Sequence, residues 1–220
     1  MSKKYCAEIN FLLSLEWDYS ILIGNVLALK RLGRYGLFFI DGHTDFYKPE
    51  ESPTGEVADM DLRIVSGYGP DILSNLNGLK PLVLEQDIVV FGYRDEEQSA
   101  SYGCENMKKV TKMYALNLSD VRRLGVADAA HFGIDRLLAK NKISGFWIHL
   151  DADVLDDSVM PAVDYRLPGR LTFAELSHLL MLLLMSKKTI GISITILNPT
   201  LDKDGSTTRN FVSSLVHGLS

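Results

Sequence analysis

The feature that most constrains this chain is a run of short apolar segments separated by helix-patterned stretches. "INFLLSLE" (9–16), "GLFFID" (36–41), "DIVVFGY" (87–93), "KMYALNL" (112–118), "GFWIHLD" (145–151) and "TIGISITIL" (189–197) read as strands. Most are apolar at consecutive rather than alternate positions, the pattern of strands covered on both faces. Helical patterns fill the gaps at 20–33, 70–78, 119–139, 172–186 and 207–218. The 172–186 segment opens with Thr172 and Glu175, the spacing of a capping box ahead of an apolar run. This alternation predicts an α/β fold: a three-layer α-β-α sandwich around a mostly parallel sheet. No repeat or long linker divides the 220 residues, so one domain over 1–220 is expected.

Composition narrows the function classes. Hydrophobic residues make up 46% and charged residues 23%, as in a globular protein. A formal net charge of −5 argues against a nucleic-acid partner held by a basic footprint. "LSHLLMLLLM" (176–185) is too short for a membrane span and reads as a core helix. Cys6 and Cys104 lack CxxC spacing, and "MSKKYCAEIN" has no long apolar stretch of the signal-peptide kind, so a cytoplasmic protein with reduced thiols is expected.

Two of the apolar strands end in acid. Leu37 to Ile40 runs into Asp41, His43 and Asp45, and "WIHLDADVLDD" (147–157) carries Asp151 and Asp153. Ligands of α/β sheets gather at the carboxyl ends of strands. On extended backbone, alternate residues point the same way, so each set converges if its strand continues. Oxygen ligands with one imidazole suit Mn²⁺, Mg²⁺ or Fe²⁺. A single DxD or HxD commonly marks a solvated loop; two clusters at the ends of two apolar strands point to a metal site, because unpaired buried charges are costly. His149 precedes Asp151 by two residues and shares its direction. It is read as a general base, as a group orienting a ligand, or as a satisfied histidine in the layer beneath. His131, His178 and His217 fall on helical segments and are given no catalytic role.

These residues resemble a known family. "DGHTDF" followed by "SPTGE" is similar to the DAHxD signature of the ureohydrolases (arginase, agmatinase, formimidoylglutamase). "HLDADVLDDSVMPAVDYRLPGRLTFAEL" resembles their second acidic signature, which runs through a Pro-Gly turn into a helix, and "GYRDEEQ" (92–98) and "ILNPTLD" (196–202) follow in the expected order. The resemblance implies an arginase/deacetylase-like fold, a binuclear Mn²⁺ centre, and hydrolysis of a C–N bond in a small linear amidino or guanidino compound. It implies that Asp41 and Asp151 bridge two ions, that His43 and Asp153 complete one, and that Asp45 serves the other. The remaining histidine of that other ion belongs to a GGDHS-like motif; here the stretch is "EWDYS" (16–20) and the position is Tyr19, leaving that half one histidine short.

Further departures bear on substrate. Ala58 stands where arginase-like members carry a proton-shuttling histidine, and Ile196 where they carry a glutamate that grips the guanidinium. Arginine and agmatine are therefore not the expected substrates. Asp164 is the preferred replacement acid, the alternative being a salt bridge to Arg166. Glu97 matches a position near the substrate's amino group, or is simply a solvated acid, and Asp156 is expected to stabilise its loop. Relatives carry a longer stretch before the first motif, so the N-terminal part of the usual domain is expected to be absent, or the chain to be a compact relative. The apolar edge left behind favours a homo-oligomer. From a different class, a catalytically silent relative holding one metal or binding a partner is also expected to fit these losses.

Overall fold

The structure is a computed structural model that describes residues 11–15, 20–139, 143–166 and 169–220. Six parallel strands, β1 (Leu12–Leu15), β2 (Gly36–Ile40), β3 (Ile88–Phe91), β4 (Tyr114–Leu116), β5 (Phe146–Asp151) and β6 (Thr189–Thr195), form one sheet in the order β1-β6-β5-β2-β3-β4. Among the described residues the helices are α1 (Ile21–Leu32), α2 (Asp61–Val65), α3 (Asp71–Ser74), α4 (Glu96–Ser101), α5 (Met107–Val110), α6 (Leu118–Leu124), α7 (Val126–Leu138), α8 (Phe173–Met185) and α9 (Ser206–Leu219).

The pleat sends alternate residues of each central strand into two separate cores. Phe38, Ile40, Val89, Phe91, Ile148, Leu150 and Ile192 pack against α7, α8 and α9. Leu37, Phe39, Ile88, Val90 and Trp147 pack against α1 and α2. Every residue of β2, β3 and β5 is buried, which is why these strands carry apolar side chains at consecutive positions. The three-layer parallel architecture is the expected one.

Two expected helices are broken. The 119–139 segment divides at Gly125, whose φ of 83° ends α6 before α7 begins. The 70–78 segment gives only α3 and a 3-10 turn over Leu76–Gly78, with Asn77 at φ 56°. In contrast, α8 starts on the expected box: Thr172 Oγ1 accepts from the Glu175 backbone at 3.2 Å and Glu175 Oε2 from the Thr172 backbone at 2.8 Å. Leu176, Leu179, Leu180 and Leu183 bury one face of α8. No helix among the described residues is long and apolar enough to cross a membrane.

Candidate metal centre

β2 and β5 are neighbours in the sheet, with Ile40 opposite Leu150, so Asp41 and Asp151 leave adjacent strands at the same level. Convergence is achieved by turns rather than by continued strand. β2 ends at Ile40, and Asp41 Oδ1 accepts from the His43 backbone N–H at 2.6 Å, folding the chain back. Asp151 Oδ1 accepts from the Asp153 N–H at 2.6 Å in the same way, opening a 3-10 turn over Ala152–Val154. Asp45 then adopts φ 43°, a left-handed conformation that aspartate tolerates better than most residues. The expectation that strand alternation aligns these ligands is thus corrected: short acid-capped turns do so.

Asp41, His43 and Asp45 bring ligand atoms within 4.8 Å of one another, and so do Asp41, Asp151 and Asp153. Asp41 belongs to both sets, whereas Asp151, expected to share the bridging position, belongs to the second alone. Asp41, Asp151 and Asp153 are wholly buried, and Asp45 is 6% exposed. Between them, His43 Nδ1 lies 2.8 Å from Asp153 Oδ2 and 3.7 Å from Asp41 Oδ1. Gly42 N–H donates to Asp153 Oδ1 at 3.1 Å.

Burial, aided by repulsion from Asp153, pushes the Asp41 carboxyl up to about 6. Burial and the neighbouring Asp41, Asp61 and Asp151 raise Asp45 well above the usual carboxylate range. Burial alone would keep His43 neutral, but Asp153 and Asp41 override it and raise the imidazole. Asp153 is held low against its own burial by His43 and Arg170. Buried oxygens Asp41 Oδ2 and Asp45 Oδ2 have no hydrogen-bond partner among the described residues. Stranded carboxylate oxygens in a dry site are costly unless a cation meets them. The donor set, oxygens with one imidazole, fits a hard divalent ion.

The cluster opens into a cleft. His43 and Asp45 form its floor, with Tyr47, Thr54, Asp59, Gln98 and Tyr165 among its walls. Ala58 also lines it, so the cleft passes the position at which the sequence departs from the shuttle histidine. Asp59 accepts from Ser52 Oγ and Thr54 Oγ1, both at 2.6 Å. Burial together with Asp59, Glu56, Asp164 and Asp45 raises the Tyr165 hydroxyl above its ordinary value, a sign of how negative the mouth is.

Other expected site residues are placed differently. His149 is wholly buried, stacked on Phe39, with Nδ1 2.9 Å from Ser193 Oγ and Nε2 3.7 Å from Asp61 Oδ2. Burial drops its pKa to about 3. It lies in the layer beneath the ligands, where the general-base reading lacks access to the cleft. Asp164 is exposed and accepts from Asn198 Nδ2 at 2.9 Å, whereas Arg166 pairs with Asp157 instead. Glu97 is exposed and the cleft is lined by its neighbour Gln98. Asp156 ties its own loop, accepting from the Ser158 hydroxyl and from the Ser158, Gly169 and Arg170 backbones, and those bonds lower it to about 2. Ile196, at φ 65°, packs against the larger core. Tyr19 lies outside the described residues.

Three residues of the site have no counterpart in the sequence expectations. Asp61, the first residue of α2, is wholly buried beside Asp45 and His149. A carboxylate followed by "LRIV", all of it buried, is the only local signal that it faces inward. Asp59 and Arg170 carry no such signal, because their place depends on loops closing over the sheet.

The comparisons agree with this geometry. A profile described as the arginase family matches residues 2–219. An arginase of Staphylococcus aureus (strain MRSA252) is 33% identical over 219 residues, covering 97% of this chain and 70% of that protein. The crystal structure of arginase from Bacillus subtilis superposes with a TM-score of 0.84 at 26% identity, covering 96% of this chain and 70% of that one. Formimidoylglutamase from Bacillus subtilis shares the fold, with a TM-score of 0.75 at 22% identity over 94% of this chain and 59% of that one. With its parallel sheet, its paired acidic turns and a match along nearly its whole length, the chain belongs to the arginase family of metal-dependent hydrolases.

Proposed function

We infer that this protein is a hydrolase using divalent ions, of the Mn²⁺ type, to cut a C–N bond in a cationic, linear amidino or guanidino compound. The observation that carries the reading is the set of buried carboxylates at two adjacent strand ends, with Asp41 and Asp45 oxygens stranded, opening into an acidic cleft. Asp41 and Asp151 would hold ions between them, with His43, Asp153 and Asp45 completing the donor set and position 19 the further candidate. Ions so held lower the pKa of water towards neutrality and supply a nucleophile without a protein one.

The chain's own residues do the rest. Asp59 presents negative charge to a cationic head, and Tyr165 and Gln98 bound its orientation across the cleft. Asp164, fixed by Asn198, stands further out and suits a distal amine or the approach of the cation. His149 serves as a positioning residue, holding Ser193 and facing Asp61 beneath the ligands. Ala58 supplies no proton, so leaving-group protonation falls to solvent entering the cleft. Identity of 33% to an arginase keeps arginine among the candidates despite Ile196. The apolar edge at β1, where Leu12, Leu13 and Leu15 are 50–64% exposed, supports a homo-oligomer. A cytoplasmic setting belongs to the same proposal and rests on the isolated cysteines of the sequence.

The competing reading is a silent relative that binds metal without turnover, favoured by Ala58 on the cleft wall. The test strips the protein, reloads it with Mn²⁺, and measures ammonia or urea release from arginine, agmatine and formimidoyl and other guanidino compounds. Metal-dependent release from any of them supports the hydrolase. Bound metal with no release from the panel favours the silent relative, and no bound metal overturns both.

A further inference from the structure

One wall of the cleft has its hydroxyl hydrogens committed to a single carboxylate. Asp59 Oδ2 accepts from Ser52 Oγ and from Thr54 Oγ1, each at 2.6 Å. A hydroxyl carries one hydrogen, so neither has another to offer a ligand. Their lone pairs are engaged as well: Ser52 Oγ accepts from the Gly55 N–H at 2.8 Å, and Thr54 Oγ1 from the Glu56 N–H at 3.0 Å. The turn over 52–59 is thereby closed on Asp59.

Asp59 itself is partly exposed, lines the cleft beside Thr54 and Ala58, and pairs with no lysine or arginine among the described residues. The described lining of the cleft also contains neither of those cations. The two nearest in the chain are engaged elsewhere. Lys48 Nζ holds Glu51 at 2.8 Å and lies 3.6 Å from Glu105, and Arg63 Nη2 is 3.5 Å from the same Glu105. Gln98 and Tyr165 leave neutral donors in the cleft, but no charge to balance Asp59.

A compound whose amidino end reaches the floor at His43 and Asp45 lays the rest of its length along this wall. A carboxylate on that length meets a like charge, no counter-ion, and two hydroxyls with no hydrogen to give. An ammonium meets an unpaired carboxylate instead. A methyl group meets neither attraction nor repulsion. Like charges set against one another cost enough to lower affinity by about 100-fold.

We propose that Asp59 sets the substrate class by rejecting carboxylates: the compound cut here is an amidino or guanidino cation whose remaining chain ends in an amine or a neutral group. This rests on the hydrolase reading of the previous section and narrows its substrate. It sets amino acids such as arginine behind compounds that carry no carboxylate.

The test uses three guanidines on chains of equal length, ending in an ammonium, a methyl or a carboxylate group. Binding is followed by calorimetry on the full chain, loaded with Mn²⁺ and, as a check free of turnover, stripped by chelator. Wild type should bind the carboxylate-ended compound about 100-fold more weakly than the methyl-ended one. Asp59→Asn keeps an oxygen for Ser52 and Thr54 while removing the charge. It should narrow that ratio by at least about tenfold and weaken the ammonium-ended compound, relative to the methyl-ended one, by up to about tenfold. Glu56→Gln removes an exposed acid outside the cleft lining and should move either ratio by no more than about twofold. Raising the salt concentration should narrow the wild-type ratio, a measurement that needs no variant. Similar affinities for the carboxylate- and methyl-ended compounds in wild type, a ratio unmoved in folded Asp59→Asn, or an equal shift in Glu56→Gln would each overturn the proposal. Failure of the hydrolase reading looks different: selective binding persists, with no ammonia or urea released from any of the three. Binding of none of them overturns both.

Discussion

Replacing Asp41 with asparagine should stabilise the metal-free protein near neutrality while removing its response to metal. In the folded chain the carboxyl is wholly buried and its pKa stands at about 6, against an ordinary value of 3.8. A raised carboxyl binds its proton more tightly folded than unfolded, so its contribution is complete below pH 3.8 and is lost as pH rises through about 6. A shift of this size corresponds to about 3 kcal/mol between those limits. Asparagine keeps the acceptor that the His43 N–H uses and carries no charge to desolvate. At this chain length about 3 kcal/mol amounts to roughly 6–12 °C in Tm. Asp45, also raised, has the same sign, and loss of the Asp41 charge relieves it too. Asp153 has the opposite sign, its contribution disappearing as pH falls below 3.8; His43 acts above its ordinary value of 6.5; and His149, dropped to about 3, adds stability as pH rises towards 6.5, so the Asp41 effect is read from the difference between wild type and Asp41→Asn between pH 4 and 6. Thermal and urea unfolding in excess chelator measure it. The advantage of Asp41→Asn over wild type should grow from pH 4 to 6, and Mn²⁺ should stabilise only wild type. A stability difference between the two proteins that does not change from pH 4 to 6, or an Asp41→Asn protein less stable than wild type without metal at pH 7, would refute the reasoning.

Removing the Ser193 hydroxyl, which meets Trp147 Nε1 at 3.0 Å and His149 Nδ1 at 2.9 Å, leaves two buried polar atoms short of a partner. Ser193→Ala should cost about 2–3 kcal/mol in urea unfolding, and no loss would mean the pair is satisfied elsewhere. Thr172→Ala breaks the capping box of α8 and should cost about 1 kcal/mol, read as a lower urea midpoint with unchanged slope. Asp59→Asn should lower kcat/KM for a cationic substrate about tenfold, the equivalent of one weakened charge-assisted contact, while Mn²⁺ stoichiometry stays the same; equal loss on a neutral analogue would show that its charge does not select the substrate.

Much of this protein was legible before any coordinates. Consecutive apolar residues in β2, β3 and β5 announce strands covered on both faces, and that pattern follows from the two cores on either side of the sheet. The gathering of Asp41, His43, Asp45, Asp151 and Asp153 at the ends of β2 and β5 was equally legible, since a carboxylate directly after a buried strand has few reasons to be there. What local sequence could not supply was direction. Strand alternation suggested why the ligands converge, yet the strands stop at Ile40 and Asp151, and turns capped by those same acids bring the rest around. Similarly, Gly125 and Asn77 cut expected helices because a positive φ overrides an apolar period.

Tertiary structure alone decided which other charges share the site. Asp61 and Arg170 reach it from a short helix and a loop, at sequence separations for which no periodicity exists. His149 obeys its strand's alternation, but the layer above it is filled, so depth rather than direction denies it the cleft. Composition and pattern thus determine which face of each element is buried, because burial of apolar area is local to the element. Which charged groups meet across elements is set by how loops close over the sheet, and Gly42 makes room for Arg170 only once both are in place.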